Sequence, residues 1–249
     1  MTSSRADFGI YLPLLKKIKS DKFFNLNIVA FGTHLSRKYG YTLNQIIENG
    51  FKVYKTFKTV PVNDKPVDIA QSIAYTLKVF SNFWKKEFAK TDLIICLGDR
   101  YEMFAAVSAS IPFNITVAHI HGGETTLGAI DNKFRNAITA VSNIHFTSTK
   151  KSAQRVIAIS GSKKNIYNVG ALSLDNLRDI KLMGNKIFKE KYGVDLNFPT
   201  ILFTFHPETV APEKNLKYIR ELELLFKDLI NEYQILVTLS NTCLLYTSP

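Results

Sequence analysis

Short apolar runs alternate with longer amphipathic segments along almost the whole chain. The short runs have the length and β-branched content of buried strands, and the longer segments have the 3.6-residue period of helices that pack on a sheet. The predicted strands are 27–31, 92–97, 115–118, 144–147, 166–169, 200–205 and 234–238, and the predicted helices are 8–19, 42–49, 67–89, 101–110, 131–141, 150–159, 174–192 and 215–231. This order is typical of an α/β protein whose parallel strands are joined by crossover helices.

The same pattern predicts two Rossmann-like domains, 1–172 and 173–241, and a tail of different character at 242–249. The second domain has only two strands, which are too few for an independently stable sheet. The first domain has no strand before its first helix, although the first strand of a doubly wound sheet is central. We therefore expect a chain truncated at both ends.

Composition and charge narrow the class of protein. The formal charge is +11, but most of the 32 basic residues are lysines spread over all 249 residues, whereas nucleic-acid binders concentrate basic residues on one face. No apolar run approaches the roughly 18 residues of a membrane span, so we expect a cytoplasmic protein that binds neither nucleic acid nor membrane. The two cysteines, Cys96 and Cys243, give neither a disulfide framework nor a zinc cluster. We expect no metal and no cofactor.

Candidate functional residues follow two of the predicted strands. Asp99 comes directly after strand 92–97, and Glu124 lies in the loop after strand 115–118. Ligands of open α/β sheets bind beyond the carboxyl ends of the strands, so these loops are candidate site loops. Asp131 and Arg135 begin the helix that follows. Carboxyl groups with separated pKa values can serve as the base and the acid of one reaction.

Each carboxylate also has a structural interpretation, which the residues alone leave open. Asp99 can close a turn, Glu124 can be a solvated loop residue, and Asp131 can cap its helix. Arg135 lies one turn after Asp131 on the same helix face, where an ion pair would keep that carboxylate ionised.

Five motifs, taken in order, resemble one family. They are Ser4-Arg-Ala-Asp-Phe-Gly9, Gly32-Thr-His-Leu-Ser36, Gly98-Asp-Arg-Tyr-Glu102, His119-Ile-His-Gly-Gly-Glu124 and Thr204-Phe-His-Pro-Glu208. Together they are similar to the hydrolysing UDP-N-acetylglucosamine 2-epimerases of sialic-acid biosynthesis. The resemblance implies a GT-B-like architecture of two Rossmann-like domains. It also implies release of UDP with inversion at the carbon that bears the acetamido group, which gives N-acetylmannosamine. Relatives with the same motifs act on a diacetamido sugar on the route to legionaminic acid.

The resemblance also implies residue roles and an oligomer. Its catalytic acids match Asp99, Glu124 and Asp131, and we expect the full-length protein to be a homo-oligomer. The residues expected to bind the nucleotide sugar are Arg5, His34, His121, Arg135 and His206. A guanidinium beside a helix N-terminus, as at Arg5, suits a phosphate.

One detail favours the hydrolysing branch. By resemblance, non-hydrolysing epimerases carry a glutamate near the position of His121 and an acidic pair near Asp131, where this chain has a histidine and a single aspartate.

Three alternatives stay open: a GT-B glycosyltransferase, a non-hydrolysing 2-epimerase and a non-enzymatic nucleotide-binding module. The family's diphosphate-binding segment is not found after Asn241, so we expect an inactive fragment that binds UDP poorly.

Overall fold

A computed structural model describes residues 1–61, 63, 65–179, 181–207 and 211–238. Contacts divide the chain into two compact units, 1–179 and 180–249. The tail expected at 242–249 lies outside the described residues.

The first unit alternates helices and strands as the sequence predicts. Its elements are α1 (Arg5–Ser20), β1 (Ile28–Phe31), α2 (Leu43–Glu48), β2 (Val53–Phe57), α3 (Pro66–Glu87), β3 (Leu93–Leu97), α4 (Tyr101–Ser108), β4 (Thr116–Ile120), α5 (Asp131–Val141), β5 (Ile144–Thr147), α6 (Lys150–Ser160), β6 (Ile166–Asn168) and α7 (Ser173–Asp179). All strand pairs are parallel: β1 pairs with β2, and β3, β4, β5 and β6 form a sheet in that order.

The first three residues lie between the two sheets. The Thr2 amide donates to Val29 O and the Thr2 carbonyl accepts from the Phe31 amide, each at 3.0 Å. On the other side, the Met1 amino group donates to Ile95 O at 2.9 Å. The short segment 1–3 therefore occupies the central place between β1 and β3, where the sequence pattern shows no strand.

Two hydrophobic clusters cover the two faces of this layer. Alternate residues of β3 enter different clusters: Ile94 and Cys96 join the one that contains α3 and α4, and Leu97 joins the one that contains α1 and α2. On the first face, the ring of Phe80 in α3 packs edge to face with Phe31 of β1, with the ring centroids 4.8 Å apart. Parallel strands covered by helices on both faces explain why these runs are almost wholly apolar.

Two sequence predictions need correction. The sequence pattern predicts no strand at 53–57, but these residues form β2 at the edge of the layer. Three of the five side chains of β2 are exposed, and the sequence there is correspondingly polar. The predicted helix 174–192 is two helices, α7 and α8 (Asn185–Tyr192), because Gly184 interrupts it as the N-cap of the second. Since α7 packs on α1, the first unit extends to Asp179. The functional boundary at Ser173 stays a prediction.

The second unit contains α8, β7 (Thr200–Thr204), α9 (Asn215–Leu229) and β8 (Gln234–Thr238). The two strands pair in parallel over five residues each, and Phe203 of β7 packs edge to face on Phe226 of α9 at 5.1 Å between ring centroids. Among the helices that the structure describes, none has the length and apolar character needed to cross a membrane.

Ser4→Ala should lower the free energy of unfolding by about 1–2 kcal/mol. Ser4 is the N-cap of α1: its Oγ accepts from the Asp7 amide and donates to the Asp7 carboxylate, which accepts from Ser3 and Ser4 in return. Urea unfolding measures the change. Ser20→Ala is the matched control, because that hydroxyl bonds only an exposed carbonyl at the other end of α1. Equal stability of the two variants would contradict the capping role.

Candidate active site

An ion pair joins the carboxyl end of β3 to the first turns of α5. Asp99 follows β3 after Gly98, whose φ of 79° turns the chain away from the sheet. Arg135 Nη2 donates to Asp99 Oδ2. Its other terminal nitrogen donates at 2.9 Å to both the Glu124 carbonyl and Asn132 Oδ1. Arg135 is almost wholly buried. Its bonds hold the Asp99 loop, the Glu124 loop and the start of α5 in one arrangement.

The loop after β4 is held rigidly in an unusual conformation. His121 has a φ of 65°, which side chains other than glycine rarely adopt, and its amide donates to Phe146 O at 2.9 Å. The next carbonyls are bonded as well: Arg155 Nη1 donates to Gly123 O at 3.1 Å, and Arg135 donates to Glu124 O. Backbone strain that is retained by surrounding contacts is concentrated at functional sites.

Glu124 accepts two hydrogen bonds on one carboxylate oxygen. His121 Nδ1 lies 2.6 Å from Glu124 Oε1, and the hydroxyl of Ser148, directly after β5, donates to the same atom. Partial burial by itself would raise the pKa of Glu124. The bonds from His121 and Ser148, with the Arg135 charge, outweigh burial, so the pKa is lowered and the carboxylate stays ionised.

Asp131 is the first residue of α5 and is buried. Burial, followed by the negative charge of Asp99, raises its pKa to about 6, against the opposing charges of Arg100 and Arg135. Burial also raises the pKa of Asp99, although Arg135 opposes the shift. The site therefore holds two interacting carboxyl groups of raised pKa beside a carboxylate of lowered pKa, which is a separation that acid–base chemistry uses.

A family model described as UDP-N-acetylglucosamine 2-epimerase matches residues 16–243. The chain belongs to the UDP-N-acetylglucosamine 2-epimerase family. The GDP/UDP-N,N'-diacetylbacillosamine 2-epimerase (hydrolyzing) of Campylobacter jejuni is 30% identical over 99% of this chain and 61% of its own length. The corresponding UDP-N,N'-diacetylbacillosamine 2-epimerase (hydrolyzing) of Legionella pneumophila is 34% identical over 83% of this chain and 54% of its own length. The chain thus spans only part of these relatives.

Solved epimerases share the fold of this family member. The UDP-GlcNAc 2-epimerase of Neisseria meningitidis, bound to UDP-GlcNAc, aligns with a TM-score of 0.78 at 17% identity, over 96% of this chain and 64% of that one. The Methanocaldococcus jannaschii enzyme in complex with UDP-GlcNAc and UDP aligns with a TM-score of 0.76, also at 17% identity, over 96% of this chain and 64% of that one. The GT-B-like α/β fold class predicted from the sequence is confirmed.

Two histidines of the family motifs are buried inside the fold. His34 Nε2 lies 2.9 Å from Thr2 Oγ1, and His34 Nδ1 lies 2.9 Å from Thr42 Oγ1. Burial lowers the pKa of His34 to about 4. His119 Nε2 donates to Gly98 O at 2.8 Å, and burial lowers its pKa likewise to about 4. Both ring nitrogens of His34 are thus paired with threonine hydroxyls, and the substrate-binding role expected for it stays a prediction. His119 instead fixes the Gly98 turn.

Two other predicted binding residues lie on the surface. Arg5 is the first residue of α1 and is exposed, and His206 follows β7 in the second unit and is exposed. The binding roles expected for Arg5 and His206 stay predictions. The sequence leaves open a pair between Arg135 and Asp131, and the ion pair that Arg135 makes in the structure is with Asp99.

Sequence reasoning assigned no role to several residues that build the site. Arg100 forms a forked pair with Glu102 at 2.8 and 3.2 Å, and both are buried. Ser148 and Arg155 hold the loop after β4. Ser148 could have been found, since it follows β5 at the same sheet edge as Asp99. In the part of the chain that the structure describes, no group of three or more histidine, cysteine, aspartate or glutamate side chains is placed to hold a metal ion.

Proposed function

We propose that the full-length protein is a hydrolysing 2-epimerase that acts on UDP-N-acetylglucosamine or on a related UDP-linked diacetamido sugar. The observation that carries this proposal is the cluster of Asp99, Glu124 and Asp131 around Arg135 at the carboxyl edge of the sheet. In this fold, that edge is where ligands bind. Family membership supports the reaction class.

The chemistry requires a base and an acid on opposite sides of one carbon. A base removes the proton from C2, the C2–H electron pair becomes a C1–C2 double bond, and the bond from C1 to the diphosphate oxygen breaks, so that UDP leaves. Water then adds its hydroxyl group at C1 and releases its other proton to solvent, and an acid delivers a proton to the other face of C2. Asp131 suits the acid role, because a carboxyl group with a pKa of about 6 is protonated in a larger fraction of molecules near neutral pH than an ordinary one.

Two features favour hydrolysis over simple epimerisation. The relatives from Campylobacter jejuni and Legionella pneumophila, which are at least 30% identical, carry the word hydrolyzing in their names. The chain has His121 and a single acidic residue at the positions that distinguish the branches by resemblance. Both relatives act by name on a diacetylated sugar, so the diacetamido substrate is tested beside UDP-N-acetylglucosamine.

The test is to incubate the full-length protein with each UDP sugar in heavy water, without an acceptor, and to follow products by NMR. We expect stoichiometric UDP and a free, C2-inverted sugar that carries one deuterium at C2. Inverted sugar still attached to UDP would indicate a non-hydrolysing epimerase. An absolute need for an acceptor would indicate a glycosyltransferase, and binding without turnover would indicate a nucleotide-binding module.

A further inference from the structure

The imidazole of His121 is more tightly held than a substrate-lining side chain needs to be. Its Nδ1 lies 2.6 Å from Glu124 Oε1, its backbone is fixed by Phe146 O, and its φ is 65°. Its Nε2 is buried and has no hydrogen-bond partner among the described residues. An unpartnered buried nitrogen lowers stability, and in a candidate site a role in the reaction is one physical explanation for keeping it.

The contact with Glu124 determines which ring nitrogen of His121 carries the proton. A carboxylate can only accept hydrogen bonds, so the proton of a neutral imidazole lies on Nδ1. Nε2 then carries a lone pair and can accept a proton. This is the arrangement in which an acidic side chain orients a histidine base and stabilises the imidazolium that forms.

Ser148 fixes the carboxylate in turn. Its hydroxyl donates to the same Oε1 that accepts from His121, so this oxygen cannot move without losing two hydrogen bonds. The two bonds also make Glu124 a weaker base, because they stabilise its charged form and lower its pKa. Glu124 is therefore better suited to hold His121 than to remove a proton from carbon itself.

We propose that His121 Nε2 is the base that removes the C2 proton, and that Glu124 and Ser148 are positioning residues that act through it. This inference rests on the proposed function and refines the role expected for Glu124. In the elimination, the proton passes from C2 to Nε2, the C2–H electrons form the C1–C2 double bond, and UDP leaves with the electrons of the bond to C1. The resulting imidazolium is paired with the Glu124 carboxylate.

The first experiment compares two amide variants of His121 in the full-length protein. His121→Asn places an amide near the position of Nδ1 and keeps the bond to Glu124, and His121→Gln places one near Nε2. We expect both to lower kcat about a hundredfold, because neither can accept a proton, with KM within about threefold of the wild type. If His121→Asn keeps half or more of the wild-type kcat, the contact is structural and the proposal fails.

The second experiment tests the positioning residues. Ser148→Ala should lower kcat about tenfold with little change in KM, the effect expected from loss of a hydrogen bond to a charged group, and Ser148→Thr should restore it. Ser142→Ala is the matched control, because that half-buried hydroxyl donates to Ile138 O at 2.7 Å and is not part of the His121–Glu124–Ser148 cluster. Equal kcat values for Ser148→Ala and Ser142→Ala would contradict the role of Ser148.

A spectroscopic readout separates this inference from the proposed function. Long-range proton–nitrogen correlation spectra of histidine-labelled protein, recorded at a pH where the His121 ring is neutral, should show the ring proton on Nδ1 and none on Nε2, and Glu124→Ala should abolish this preference. A wild-type ring protonated at Nε2 would overturn the inference even if turnover is observed. A wild type that releases no UDP would refute the proposed function, and the spectrum would still decide the arrangement at His121.

Discussion

Asp131→Asn should abolish turnover and at the same time stabilise the fold at neutral pH. Asparagine keeps the shape of the side chain but cannot donate a proton, so we expect kcat to fall about a thousandfold, within the range found for general acids. The expected gain in stability comes from the raised pKa of Asp131, which burial and the Asp99 charge produce.

The sign of the stability effect follows from proton binding. The folded pKa of about 6 exceeds the ordinary value of 3.8, so the folded state binds the proton more tightly than the unfolded state. The stabilisation from the protonated form is complete below about pH 4 and is lost as the pH rises through about 6. At pH 7.5, the free energy of unfolding of Asp131→Asn should exceed that of the wild type by about 2–3 kcal/mol, because asparagine buries no charge at this position.

Urea unfolding at pH 4.5 and pH 7.5, together with kcat for UDP release, measures both effects. The stability advantage of Asp131→Asn should be clearly larger at the higher pH. Asp92→Asn is the control, because Asp92 is exposed just before β3 and should change neither quantity. An Asp131→Asn protein that retains a tenth of the wild-type kcat would contradict the acid role. A variant equally destabilised at both pH values would show that Asp131 is structural.

The sequence predicts the fold well where the burial of apolar side chains decides the structure. Most residues of the apolar runs that became β3 and β4 are buried, so the hydrophobic pattern alone identifies these two strands. β2 was missed because an edge strand with exposed Tyr54, Lys55 and Thr56 has no such pattern, and its pairing with β1 is a tertiary contact. The break between α7 and α8 at Gly184 was missed because apolar spacing continues across it.

The positions of the candidate site residues were predictable at the level of loops, and less so at the level of individual contacts. The rule that ligands lie beyond the carboxyl ends of strands correctly brought Asp99 and Glu124 together. Spacing along α5 suggested an Asp131–Arg135 pair, but the guanidinium reaches across to Asp99 instead. His34 could not be interpreted from sequence, because its two threonine partners come from Thr2 and Thr42, which are distant in the chain.

Gly123→Ala should destabilise the protein by about 3–4 kcal/mol, or lower its Tm by about 10 °C. Gly123 has a φ of 74°, and an added Cβ would lie 2.2 Å from Ser152 O and 3.0 Å from Val156 Cγ2. Ser152 O is backbone in α6 and cannot turn away, so the loop must move. Movement would also break the bond from Arg155 to Gly123 O.

Gly161→Ala separates the collision from the backbone strain. Gly161 ends the same helix with a φ of 70°, but nothing lies within 4 Å of an added Cβ. This control therefore carries only the cost of a left-handed conformation, about 1 kcal/mol. Thermal and urea unfolding of the two variants should differ by at least about 2 kcal/mol, since overpacking against rigid backbone adds that much. If they unfold together, Gly123 is required only for its φ, and the close packing of the His121 loop on α6 does not hold the site in place.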